Sequence, residues 1–362
     1  MDETGDNSVG DIRVISEFFA LAQAKLEPKN WDYLAGGAES ETTMLRNRQA
    51  LDSIAFRPRV LRDMTTIELN AGCLGVTSSM PVLLAPIGSM QNFTADGAIP
   101  AAQAAGQVGV PYMVSSASAP TPEELRAACE GDLMYQLYVR SDMDDVFSIV
   151  DHINDLGFSA FCLTVDSAVY SRRERDKLNR YDPRPARVTD DKGAAFQAAL
   201  SWDKVEKIRA RCKIPLALKG IATAVDAKIA LEHGIDAVYV SNHGGRQLDH
   251  CPGAIEVLPE IVDAVGGKAE VIVDGGFVRG TDIVKALALG ATSVGIGRLY
   301  AAALVAHGRE GVVRMLEILE EELHSAMALL GVNNLADLGP EYLQPTIPAK
   351  TPSPTSPFPD ID

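Results

Sequence analysis

The sequence predicts an α/β fold, a TIM (β/α)8 barrel with an N-terminal helical extension and disordered termini. Three observations lead there. From Pro81 onward, eight short apolar runs alternate with stretches that carry apolar residues at helical spacing. Most of those stretches end in glycine, the usual helix C-cap. Nearly every apolar run delivers a polar residue or a glycine at its end, as the strands of a parallel barrel do at the mouth that carries the active site. A doubly wound sheet would use fewer strands and a G-x-G-x-x-G loop after the first, which the chain lacks.

In chain order, residues 1–10 are polar and expected to be disordered. Residues 11–80 read as a helical extension and barrel lead-in. Helical spacing runs from Asp11 to about Ala50, breaks at Gly36-Gly37 and restarts at Ser40, with the acidic Glu41 behind it. The barrel spans 81–339. Its strands are read from VLLAPIG (82–88), PYMVSS (111–116), LMYQLYV (133–139), AFCLTV (160–165), PLALKGI (215–221), AVYVSNH (237–243), AEVIVDGG (269–276) and SVGIGR (293–298). Roughly fifty residues separate the fourth and fifth runs, including YDPRPARVTDDKGAAFQ, which has no clean pattern. An insertion at about 170–205 is therefore expected over the barrel mouth. The tail, 340–362, holds seven of the chain's twenty prolines and is expected to be extended or disordered.

Composition narrows the partners. The 33 Lys+Arg against 49 Asp+Glu leave a net charge of −16, which disfavours nucleic acid and anionic membranes. A small anion can still bind where local arginines outweigh that field. The five cysteines, Cys73, Cys129, Cys162, Cys212 and Cys251, are scattered and never paired as C-x-x-C. That argues against a disulfide framework or a zinc site and suits a reducing compartment. Cys162, in AFCLTV, reads as a small core residue. No run approaches the ~18 apolar residues of a membrane helix. The acidic MDETGDNSVGD is not a secretory signal, and the final DID is not a peroxisomal address. A cytoplasmic protein with no membrane or nucleic-acid partner is expected.

The strand ends carry the chemistry. They are Gly88; Ser115 and Ser116; Gln136 and Tyr138; Thr164 and Asp166; Lys219; Ser241 and His243; Asp274, Gly275 and Gly276; Gly297 and Arg298. One or two such residues could be accidents of packing, but a full ring holding Lys, His, Asp and Arg is a site. VDGG and GIGR on the last two strands suit a phosphate, because glycines let backbone N–H groups approach an anion and Arg298 can chelate its oxygens. Lys219 could snorkel to the rim, form a Schiff base, or stay protonated and stabilise negative charge. His243 sits at a strand end beside Gly244-Gly245, with Asp166 a candidate to hold its imidazole. The other histidines lack such a setting and read as structural or surface groups, and no cluster suits a metal. Arg246, and Arg173 within SRRERD, are the cations favoured for bidentate carboxylate recognition, the rest of that run being solvated.

SNHGGRQLD, VDGGFVRGTDIVKALALGA, SVGIGR, LALKGI, YQLYV, LTVD and the N-terminal YLAGGAESETTMLRNR together resemble the FMN-dependent α-hydroxy acid oxidase/dehydrogenase family, which includes glycolate oxidase, lactate oxidase, mandelate dehydrogenase and flavocytochrome b2. The resemblance runs from about Asp11 to about Leu338. It implies FMN in the barrel and oxidation of an L-2-hydroxy carboxylate to the 2-oxo acid, with oxygen as acceptor giving H2O2. The same chemistry linked to a quinone or carrier, or a non-acid substrate such as a peptide or amine, is the alternative. By resemblance, His243 is the base, paired with Asp166. Tyr33, Arg173 and Arg246 hold the carboxylate, Tyr138 stands by the substrate hydroxyl, and Lys219 faces the N1/O2 edge of the flavin. The flavin bed is Pro86, Ile87, Gly88, Ser115, Gln136, Thr164 and Ser241. The phosphate falls on Gly275, Gly276, Gly297 and Arg298, beside Asp274. A homo-oligomer, a tetramer, is the family's habit.

Four positions depart from the family's pattern. Val278 replaces the first arginine of DGGxRRG, leaving Arg279. Ala168-Val169 stands where Pro-Arg is frequent, and Ala117 where glycolate oxidases carry tryptophan, which leaves room for a larger side chain. Gly88 stands where oxidases commonly have alanine and several quinone-linked dehydrogenases have glycine.

Overall fold

The computed structural model describes residues 8–185 and 190–359. Eight parallel strands close into a barrel in sequence order. They are β1 (Val82–Leu84), β2 (Tyr112–Ser115), β3 (Leu133–Leu137), β4 (Ala160–Thr164), β5 (Leu216–Ile221), β6 (Ala237–Val240), β7 (Glu270–Val273) and β8 (Ser293–Ile296). Every apolar run read from the sequence is a barrel strand, and β8 closes the ring on β1 with Gly295 opposite Leu83.

Strands buried on both faces need apolar residues throughout, and their two faces meet different partners. Leu83, Met113, Met134, Cys162, Ala217, Tyr239 and Ile272 pack inside the barrel, so Cys162 is a core residue as expected. The outward residues pack under the helices in the main core. A hairpin, Ala71–Cys73 with Val76–Ser78, plugs the N-terminal end. Its Cys73 and Leu74 join the interior cluster, and the Leu74 amide donates to Glu270 at the start of β7 (2.8 Å). The C-terminal mouth is left open for a ligand.

The extension forms helices Ile15–Lys25, Pro28–Ala35 and Thr42–Asp52. The second starts on proline, whose missing N–H costs nothing in a first turn, and stops at Gly36. It carries Tyr33 to the mouth. The insertion after β4 holds helices Glu174–Leu178 and Asp191–Ala198, and its Tyr170, Arg173, Arg184 and Gln197 line the mouth. The patternless stretch thus contains a helix, capped by Asp190, whose carboxylate accepts from the Gly193 amide.

The N-terminus departs from expectation over residues 8–10, and the tail takes the extended of its two expected forms. Residues 8–10 enter a 3-10 turn, with the Ser8 hydroxyl donating to Asp11 at 2.8 Å, while residues 1–7 lie outside the described residues. The Pro-rich tail is ordered over 340–359. Leu343–Pro345 pairs antiparallel with Ile54–Phe56, and Pro345 is tolerated at the end of this edge strand. Phe358 is 5% exposed and packs on Phe19 with ring centroids 6.0 Å apart. Burying such a ring contributes about 2 kcal/mol, which adds to the strand pairing in anchoring the segment. Among the described residues no helix is long and apolar enough to cross a membrane.

Candidate active site

A cavity of about 470 Å³ occupies the C-terminal mouth. His243 stands at its wall, three residues beyond the end of β6, with a left-handed backbone (φ 58°) that a non-glycine residue adopts at a cost. Its Nδ1 lies 3.1 Å from Asp166 Oδ1, and its Nε2 lies 3.2 Å from the Tyr138 hydroxyl. Burial works to raise the Asp166 carboxyl, but its pairing and hydrogen bond with His243 and the charge of Lys219 outweigh it and hold the group low. Asp166 is therefore an acceptor, which fixes the proton on Nδ1 and leaves the Nε2 lone pair facing the cavity. Burial lowers the His243 pKa, and Asp166 only partly offsets this. The imidazole rests neutral at pH 7.

Asp166 reaches this position because residue 220 is glycine. A Cβ there would lie 2.5 Å from the Asp166 Cβ, and Gly220 has φ +109°. The register of β5 against β6 slips between Lys219 and Ile221 at the same point, a bulge of the kind that re-aims a side chain. Lys219 is 4% exposed. Its ammonium donates to Ser241 Oγ (2.8 Å), pairs with Asp274 (3.0 Å) and lies 4.9 Å above the Tyr239 ring. Burial would lower its pKa, but Asp274 and Asp166 raise it further. Lys219 is thus a permanent cation and a poor nucleophile, which speaks against a Schiff-base aldolase.

Six arginines line the cavity, among them Arg173, Arg246 and Arg298. Arg246 spends one nitrogen on the carbonyls of Tyr33 (2.7 Å) and Gly36 (2.8 Å) and stacks 4.8 Å over the Tyr33 ring. Arg173 is the inward member of its charge run, 8% exposed and over the Tyr170 ring, whereas Arg172 pairs with Glu174 in solvent and Arg175 with Glu41. Neither Arg173 nor Arg246 makes an ion pair among the described residues. Arg298 donates to the carbonyls of Gly244 (2.9 Å), Gly36 (2.8 Å) and Leu34 (3.2 Å). Burial, followed by the charge of Arg246, pulls Arg298 down to about 9. Clustered cations that depress one another mark a place short of negative charge, despite the acidic chain.

Pro86, Ile87 and Gly88 after β1, Asp274, Gly275 and Gly276 after β7, and Gly297 after β8 line the same cavity. Ser115, Gln136 and Thr164 are buried at the ends of β2, β3 and β4, and Ser241 just after β6. Arg279 turns away to Glu322 (2.9 Å). Three participants escaped the sequence reading. Asn47 and Asn242 exchange amide hydrogen bonds (2.9 and 2.7 Å), and Asn47 also receives the Ala254 amide. Arg48 donates to the Gly276 carbonyl (3.3 Å) and ion-pairs with Asp282 (2.9 Å). Asp176, buried and raised by that burial against the pull of Arg246 and Arg173, lies in the same electrostatic cluster. RNR and RRERD held them, but no local signal separates these residues from a solvated charge run.

A barrel that brings a carboxylate-held imidazole and two guanidiniums without ion pairs among the described residues to its C-terminal mouth is built as an enzyme for small anions. The pattern of the FMN-dependent dehydrogenase family matches residues 22–345. The chain belongs to that family. Glycolate oxidase 1 of Oryza sativa subsp. indica is 38% identical over 350 residues, covering 91% of this chain and 95% of that protein. Glycolate oxidase of Spinacia oleracea is 36% identical, with 92% and 96% covered. A mandelate oxidase structure with (S)-2-phenylpropionate superposes with TM-score 0.85 at 36% identity, over 92% of this chain and 98% of that one. An oxidised active mutant of (S)-mandelate dehydrogenase gives 0.86 at 35% identity, over 91% and 99%.

The cavity fits FMN. The buried Gln136 amide has no partner on either its oxygen or its nitrogen among the described residues, and neither does the Thr164 hydroxyl. An idle donor and acceptor side by side match the alternating N–H and C=O edge of a flavin pyrimidine ring. A Cβ on Gly297 would project into open space, so glycine keeps that space clear at the start of helix Arg298–Leu330, where backbone N–H groups suit a phosphate.

Proposed function

We propose that the protein oxidises a 2-hydroxy acid to the 2-oxo acid with molecular oxygen as acceptor: R–CHOH–COO⁻ + O2 gives R–CO–COO⁻ + H2O2. The observation that carries this reading is the His243–Asp166 pair beside Tyr138, in a cavity with two guanidiniums, Arg173 and Arg246, that lack carboxylate partners among the described residues. FMN, when bound, supplies the two-electron oxidising power. Arg173 and Arg246 hold the substrate carboxylate by bidentate, charge-assisted bonds. Tyr138 orients the hydroxyl. His243 Nε2 accepts the proton lost by the substrate, from the α-carbon or from the hydroxyl, and Asp166 stabilises the imidazolium that results. Lys219 and Ser241 present a positive, hydrogen-bonding edge towards the cofactor. Ala117 in the cavity wall favours a side chain larger than that of glycolate.

A second reading keeps the chemistry and passes the electrons to a quinone or carrier protein. Gly88 favours it, since oxidases commonly carry alanine there; an alanine Cβ would meet the Ala117 Cβ at 3.3 Å. One experiment tests both. Anaerobic addition of a panel of 2-hydroxy acids is expected to bleach the flavin band, and admitting air is expected to restore it within seconds. Bleaching with slow recovery in air would transfer the assignment to the dehydrogenase. A yellow protein that no acid bleaches would end both.

The pH profile gives an independent check. The base must be neutral, and burial holds His243 below its ordinary 6.5. Anaerobic flavin reduction at low substrate is expected to be flat above pH 6.5 and to decline only below it. Removing the carboxylate that raises the imidazole, in Asp166→Asn, moves this acid limb to still lower pH. Stability follows the same sign, because the unfolded histidine takes up a proton before the folded one does, so its contribution falls as pH drops below 6.5. An acid limb above pH 7 would count against His243 as the base.

A further inference from the structure

We propose that the C-terminal segment 354–358 is part of the cofactor site, walling the end of the cavity that takes the FMN phosphate and retaining FMN by enclosure. Pro354, Thr355 and Phe358 line the same cavity as Gly276, Val278 and Gly297. The loop after β7 offers little charge at that end. Val278 is apolar, and the amides of Val278 and Arg279 are spent on the Asp282 carboxylate (3.1 and 3.2 Å). The Arg279 guanidinium pairs with Glu322, and Arg48 is taken by Asp52 (2.7 Å) and Asp282. The backbone N–H groups of the first turn of helix Arg298–Leu330 remain to meet the phosphate, with Arg298, which already donates to three carbonyls. An anion held by so few donors exchanges readily unless its exit is covered.

The tail supplies that cover and is tied to the glycine loop from two sides. The Ser356 hydroxyl donates to Asp52 (2.9 Å), Asp52 pairs with Arg48, and Arg48 donates to the Gly276 carbonyl. Across from this chain of contacts, the Phe358 ring packs on Phe19 and lies 5.9 Å from the Arg279 guanidinium. Lys350 reaches the Phe358 carbonyl (2.8 Å) and closes the segment on itself. Upstream, the Thr346 amide donates to the Ser53 carbonyl (2.8 Å), next to Asp52. The same residues that order the tail therefore brace the loop beneath the phosphate.

The test is FMN release from the holoenzyme, followed as the rise in free-flavin fluorescence after dilution, with FMN affinity measured by titrating the apoprotein. Two variants are compared with the wild type: Phe358→Leu, which keeps an apolar anchor, and a chain ending at Ser353. Release is expected to quicken on the order of tenfold in the shortened chain and less in Phe358→Leu, with affinity weakened in step. Adding Val278→Arg to the shortened chain gives the phosphate a new partner and is expected to slow release again. Unchanged release in both variants overturns the proposal. Faster release that Val278→Arg leaves untouched also overturns it, because the loss would then come from a loosened fold.

Discussion

Replacing His243 with glutamine is expected to lower the rate of flavin reduction by roughly 10²–10⁴-fold or more while leaving FMN bound. Glutamine approximates the volume of imidazole and can still accept a hydrogen bond from Tyr138, but it cannot take a proton at neutral pH. The backbone strain at φ 58° is shared by both side chains, so the loss isolates the chemistry. Asp166 would then lose the His243 partner that helps hold its carboxyl low and keep the charge of Lys219. Its own replacement is expected to cost less than that of His243, because it acts through the imidazole. Rapid mixing with a bleaching acid under anaerobic conditions measures the reductive step, and the absorbance of the purified variant measures FMN content. Retained flavin with a reductive rate within tenfold of wild type would remove His243 from the role of base.

The barrel was legible because buried parallel strands must be apolar throughout, and loops between them must begin with whatever the mouth needs. Eight runs followed by polar residues leave few other folds. His243 and Arg246 were legible for the same reason, being close in sequence and just past a strand. What escaped detection comes from contacts at long sequence separation. Asn47 and Arg48 lie on a helix of the extension, and only the closed barrel brings them to Asn242 and Gly276. Asp176 and Arg173 share one charge run, in which burial of two members depends on how the insertion folds back over the mouth. The order of the tail comes from Phe358 together with contacts to Ser53, Asp52 and the strand Ile54–Phe56, all distant in sequence, while its prolines give every local sign of a free end. Position 220 is silent in the sequence, because a glycine before an apolar residue signals nothing until Asp166 packs against it.

The second large effect is expected at Lys219. Lys219→Met preserves the length of the side chain and removes its charge, leaving the Asp274 carboxylate buried with no cation beside it and Ser241 as a polar partner; that Ser241–Asp274 hydrogen bond is 2.5 Å. Breaking a buried pair from one side typically costs about 3–5 kcal/mol, mostly the penalty of the stranded charge rather than the worth of the pair. The apoprotein is therefore expected to lose several kcal/mol in denaturant unfolding. The double variant Lys219→Met/Asp274→Asn should recover more than half of that loss, because it strands no charge. Flavin reduction should not recover with it. In the double variant the cavity still lacks the cation that both carboxylates keep protonated, so reduction stays slow although the fold is restored. A double variant as unstable as the single would show that the ammonium acts by packing over Tyr239, and a double variant that regains reduction would show that its charge is dispensable to the chemistry.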